Sequence, residues 1–219
     1  MRSRRWVLAL TGSIVPLLLA LVWVETQRSR AEHPAPSSPP AARPAMVLHD
    51  HVERVRTRRG EVSWQFQGDR IEVLDSGDYL VYGLKRGQYF SNQVVEVEFT
   101  AERARFEART QNILVRGQVE VSSLRGLRFS ADSMAWFEAE GKMYAPTVRQ
   151  VEWRDPKRPG APPATLQTGR LFYYPREQRL ELPDRLTGSH QGSRIEAAAG
   201  SASLDTARLQ LAGPAQVAV

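Results

Sequence analysis

Apolar and polar residues alternate in short runs along most of the chain. In "ILVRGQVEV", residues 113–121, Ile113, Val115, Val119 and Val121 fall on one face, and Leu114, Arg116, Gln118 and Glu120 on the other. A period of two belongs to a strand with one buried face. After residue 46 no long stretch holds a helical period, and Gly, Asp, Asn and Gln punctuate the runs. The pattern predicts an all-β domain of short antiparallel strands.

The runs also repeat. Frames starting at Phe66, Phe99, Phe129, Leu166 and Ile195 are spaced 33, 30, 37 and 29 residues apart. Two residues on, every frame has a small residue: Gly68, Ala101, Ala131, Thr168 and Ala197. Seven on stand Val73, Phe106, Trp136, Tyr173 and Ala202; fourteen on, Leu80, Ile113, Met143, Leu180 and Leu209; sixteen on, Tyr82, Val115, Ala145, Leu182 and Leu211. Polar segments rich in turn residues separate the seventh and fourteenth positions, the first of them holding Asp75 and Asp78. Each frame therefore reads as strand, turn, strand. The change of parity between the second and seventh positions predicts a bulge or bend within the first strand. The 37-residue spacing reflects a proline-rich loop, residues 154–163. Stacked units of this kind give a meander with an apolar interior. Its bulky lining is expected from Phe66, Ile71, Phe99, Phe106, Ile113, Val115, Phe129, Met134, Trp136, Leu171, Tyr173 and Ile195. The last strand, with Leu209, Leu211 and Val217, is expected at an open edge, where Pro214 is tolerated. The first strand, near residues 47–55, is the other expected edge.

The N-terminus follows another pattern. Residues 1–5 carry Arg2, Arg4 and Arg5, and residues 6–24 carry no charge. A helix of that length spans about 28 Å, close to the hydrocarbon thickness of a bilayer. Trp6 and Trp23 mark its ends, and the preceding arginines orient the N-terminus to the cytoplasm. The apolar run exceeds the core of a usual signal peptide, so a retained anchor is the favoured reading over a cleaved leader. Ala9, Gly12 and Ser13 would let a neighbouring helix approach closely, and Pro16 would bend the span. Residues 25–45 hold five prolines and read as a semi-extended tether. The folded domain is expected over residues 46–219.

Charge and composition narrow the function. The 219 residues carry a formal net charge of +6, nearly all of it from arginine. Those arginines are interleaved with acidic residues rather than clustered, which argues against nucleic acid as a partner. The absence of cysteine removes disulfides and thiolate metal sites. There is no phosphate-binding loop, so any ATP-driven work must come from a partner. "GSHQGS", residues 188–193, has a histidine where a nucleophile would stand and falls at an expected hairpin turn. His49 and His51 share one strand face, and solvated strand residues explain them better than a metal site. No enzyme, metal or cofactor is expected.

The sequence "L-x-L-x-G-x-V", seen here as "ILVRGQVEV" and "LQLAGPAQV" after "FTAERARFEA" and "IEAAAGSASL", resembles the periplasmic β-jellyrolls of lipopolysaccharide transport. Together with the anchor and with "RRGEVSWQFQGDRIEV" at the domain start, it is most similar to the LptC family. The tether and the insertion depart from that pattern. The resemblance implies an open β-jellyroll behind a single membrane span, in the inner membrane and facing the periplasm. It also implies that lipopolysaccharide is received from the LptF and LptG membrane proteins, driven by the LptB ATPase, and passed to the bridge protein LptA. The span would then pack on transporter helices. Two alternatives stay open: a released LptA-like bridge, and an anchored scaffold or adhesion domain with a filled core.

Overall fold

The computed structural model describes residues 44–56, 62–190 and 192–218. Residues 1–43, with the apolar N-terminal segment and nearly all of the tether, lie outside these, as do residues 57–61. Fourteen strands follow in order: β1 Pro44–Arg56, β2 Val62–Leu74, β3 Tyr79–Ser91, β4 Val94–Phe106, β5 Ile113–Ser123, β6 Leu127–Phe137, β7 Lys142–Ala145, β8 Val148–Trp153, β9 Ala164–Gln167, β10 Leu171–Tyr174, β11 Arg179–Leu182, β12 Leu186–His190, β13 Ser193–Ser203 and β14 Arg208–Ala218. One 3-10 turn, Glu138–Glu140, is the only helical element among the described residues. The all-β expectation holds.

Every pairing is antiparallel, and all the strands belong to one sheet. From β1 to β6 it is a plain meander. There it divides. The C-terminal half of β6 continues through β7, β10 and β11 to the C-terminal half of β13. The N-terminal half of β6 continues through β8, β9 and β12 to the N-terminal half of β13. β14 then pairs along the whole of β13. The long strands cross a shared bend line, and the later short strands break at it.

The bend comes from the parity change expected in each frame. Register shifts line up across the sheet at Gln67/Gly68, Leu84/Gly87, Thr100/Arg103, Arg116/Val119, Ser130/Ala131 and Ala197/Ala199. At this level each frame has two successive residues that are not buried: Asp69 and Arg70, Glu102 and Arg103, Asp132 and Ser133, Gly169 and Arg170, Ala198 and Ala199. A strand that turns outward twice in succession loses a ladder position and bends. Gly117 supports the bend from β5, with φ +80°, and a β-carbon there would meet the Glu102 side chain. Ion pairs decorate the outer ridge of the bend, Lys85 with Asp69, Arg149 with Asp132 and Arg170 with Asp184. These exposed pairs contribute little stability.

The hairpins of the last four frames share one loop length. Phe106 pairs with Ile113, Trp136 with Met143, Tyr173 with Leu180 and Ala202 with Leu209. In the first frame Val73 pairs with Tyr79, one residue sooner. This corrects the expected columns: Tyr79 and Val81, not Leu80 and Tyr82, are the inward residues of the first frame. Val81 is fully buried, and Tyr79 packs against the core.

The first hairpin is tied down by Asp78, which in sequence alone looks like a plain turn residue. Its carboxylate accepts from Arg105 Nη2 at 2.8 Å and from the Ala108 backbone N–H at 3.1 Å. Burial pushes this carboxyl up, but the hydrogen bonds from Arg105 and Ala108 and the Arg105 charge outweigh that and hold it below the usual aspartate value.

Candidate functional site

Folding the sheet brings its apolar faces together, and the expected interior residues collect there. Phe66, Ile71, Phe99, Phe106, Ile113, Val115, Phe129, Met134, Trp136, Leu171, Tyr173 and Ile195 belong to one buried cluster, none more than 7% exposed. In β5, Ile113, Val115, Val119 and Val121 are buried while Leu114, Arg116, Gln118 and Glu120 are exposed.

The frame missed two of the largest interior residues. Trp64 lies one strand period before Phe66, and Tyr89 pairs with it across β2 and β3. Trp64 packs on Tyr89 at 4.9 Å and on Trp136 at 5.2 Å between ring centroids. Tyr89 and Trp136 meet at 4.7 Å. Trp64 and Tyr89 come from one half of the fold and Trp136 from the other, so this triad joins the two. The same-face rule applied backwards from Phe66 would have found Trp64. Burial also raises the Tyr89 phenol, against a lowering contribution from Arg176, and pushes Tyr173 up to about 12.

The interior is packed at the aromatic end and opens near β14. There an apolar cavity of about 90 Å³ is lined by Val151, Leu166, Leu180, Ile195, Leu204 and Leu209, among others. Of the twelve expected lining residues only Ile195 borders it.

β1 and β14 are the two outer strands and have one neighbour each among the described residues. On β14, Leu209 is exposed and Leu211 half-buried, and Val217 is in register with Ile195. Pro214 follows Gly213, which has φ +75°. On β1, Met46 and Val47 are exposed.

The family model for lipopolysaccharide-assembly, LptC-related proteins matches residues 13–217. The chain belongs to the LptC family. Membership makes it a component of lipopolysaccharide transport, in a family of transport components rather than enzymes. Among solved structures it is similar to LptH from Pseudomonas aeruginosa, described as the LptA-homologous periplasmic component of the lipopolysaccharide transport device. That likeness has 11% identity and a TM-score of 0.48, covering 56% of this chain and 94% of that one. No individual curated protein matches the chain.

The remaining residues singled out in the LptC-family sequence have plain positions. His49 and His51 are exposed on β1, and no cluster of metal-binding side chains occurs among the described residues. Residues 188–193 form the end of the β12–β13 hairpin, apart from Gln191, which lies outside the described residues. Residues 154–163 link β8 to β9 as a looped insertion. Ala9, Gly12, Ser13 and Pro16 lie outside the described residues, within which no helix is long and apolar enough to cross a membrane.

Proposed function

We propose that this chain is the membrane-anchored subunit that receives lipopolysaccharide from the LptF–LptG transporter, powered by LptB, and passes it through its interior to an LptA-like bridge. One observation carries this reading: a continuous apolar interior runs along the stacked strands between two outer strands that have one neighbour each among the described residues. Each methylene exposed to water costs roughly 0.8 kcal/mol, so moving a multi-chain lipid unshielded costs tens of kcal/mol. An interior shared end to end with a similar protein removes most of that cost. Outer strands supply the joint, because an open edge accepts a further strand.

In this scheme residues 1–5 lie in the cytoplasm, residues 6–24 span the inner membrane and residues 25–45 tether the periplasmic domain of residues 46–219. Ala9, Gly12, Ser13 and Pro16 pack against transporter helices. The twelve interior residues from Phe66 to Ile195 contact acyl chains, and Leu209, Leu211 and Val217 lie on the strand that meets the bridge. Affinity purification of the full chain from membranes tests the assembly. Co-isolation of LptF, LptG and LptB is the expected outcome; their absence under conditions that keep the transporter intact contradicts it.

A second reading, an anchored scaffold with a permanently filled core, is favoured by the near-zero exposure of the aromatic end. It predicts that delipidated protein takes up no lipid and captures no bridge.

A further inference from the structure

Opposite the bend, the hairpin ends of the two halves meet at a mouth. The described backbone hydrogen bonds beside the mouth, Leu124 to Glu96, Gln178 to Pro175 and Leu204 to Gln178, each stay within one half. Side chains make the connection across it. Arg176, in the β10–β11 turn, donates from Nε to the Tyr89 hydroxyl at 2.9 Å. Its Nη2 lies 3.7 Å from Glu138 Oε1, and the Trp136 indole N–H holds that carboxylate from below at 2.8 Å. From the other side, Arg125 donates Nε and Nη2 to the Gln178 amide oxygen at 3.1 and 2.9 Å, in the amide orientation that satisfies both of its ends. A cavity of about 490 Å³ lies among Tyr89, Glu96, Arg125, Glu138, Arg176 and Gln178.

This polar cavity shares a wall with the apolar interior. The Tyr89 ring is 1% exposed and packs on Trp64 and Trp136, while its hydroxyl holds Arg176. Both arginines are engaged mainly by neutral acceptors. A phosphate accepts charge-assisted, bidentate hydrogen bonds from guanidinium, roughly twice as strong as bonds to neutral groups. The arginines therefore have a stronger partner available than those they hold. Glu96 and Glu138 also line the cavity, and their negative charge opposes an anion and weakens such binding.

We propose that Arg125 and Arg176 form a clasp operated by the headgroup of a phosphorylated amphiphile. In the empty protein they hold the mouth shut on Gln178 and Tyr89. An arriving phosphate draws both arginines to itself, the mouth parts about the bend, and acyl chains gain the interior. The clasp rests on the lipid-transfer reading above and adds its point of entry and its headgroup selectivity.

The test uses the full chain in detergent, incubated with bis-phosphorylated or dephosphorylated lipid A, with bound lipid followed over time by native mass spectrometry. Wild type should load the phosphorylated lipid about tenfold faster or more. Arg125→Ala with Arg176→Ala should abolish that preference and speed loading of the dephosphorylated lipid. Lysine at both positions should restore part of the preference. Gln178→Ala leaves both arginines in place and should speed loading while keeping the preference, so one well-folded variant remains informative if the double variant unfolds. Equal loading of the two lipids by wild type, or an intact preference in the double variant, overturns the clasp alone. No uptake of either lipid by wild type overturns the lipid-transfer reading and the clasp with it.

Discussion

Phe99 shows how closely single residues are fitted. Its ring is 1% exposed and lies against Gly87 of β3, where a β-carbon would overlap the ring atoms. Phe99→Ala should therefore cost about 3–5 kcal/mol, read as a lower urea midpoint. Gly87→Ala should cost about 1–3 kcal/mol through overpacking. Combining Gly87→Ala with Phe99→Leu should cost less than the sum of the two, because the smaller side chain vacates the overlap. Asp78 gives a residue-scale pH prediction. Its folded-state pKa lies below the unfolded value of about 3.9. Its contribution is complete above the unfolded value and is lost as pH falls through the folded one. Acid unfolding curves below about pH 4 should accordingly be shallower in Asp78→Asn, which starts less stable at neutral pH and has no carboxylate there to protonate.

At the scale of elements, the bend decides the architecture. Two outward residues in succession, repeated in every frame, turn a flat meander into a sheet folded on itself. Gly117→Ala places a side chain in a left-handed backbone and against Glu102, so it should cost about 1–2 kcal/mol or more, seen as a lower melting temperature. The bend was legible in the sequence, because a parity change within a strand has few other physical causes. The strand-turn-strand frame was legible because four of its five hairpins share one loop length. The first frame broke the pattern by one residue, and period two turns a one-residue slip into a change of face. That is why Leu80 and Tyr82 were expected inside and Tyr79 and Val81 are found there. Asp78 was missed because a turn aspartate and a buried, paired one look alike until Arg105 and Ala108 are brought to it by the fold.

For the whole molecule, sequence periodicity identified the apolar face but not how tightly two such faces close. Alternation reports which side of a strand is buried; it carries no information on the distance to the facing sheet. The aromatic triad of Trp64, Tyr89 and Trp136 closes one end, and an apolar cavity lies near β14. The mouth contacts were beyond sequence reading too, since Arg176 and Tyr89 stand 87 residues apart. A lipid carrier with this interior must part its halves to load, whereas a scaffold need not. Photo-crosslinking in membranes separates the two most directly, with a photoreactive residue placed at Phe106, Trp136 or Ile195 and, as an outward control, at Leu114. The lipid-transfer account predicts lipopolysaccharide adducts from the interior positions and none from Leu114; no adduct from any interior position, in a folded chain that still reaches the membrane, would contradict it.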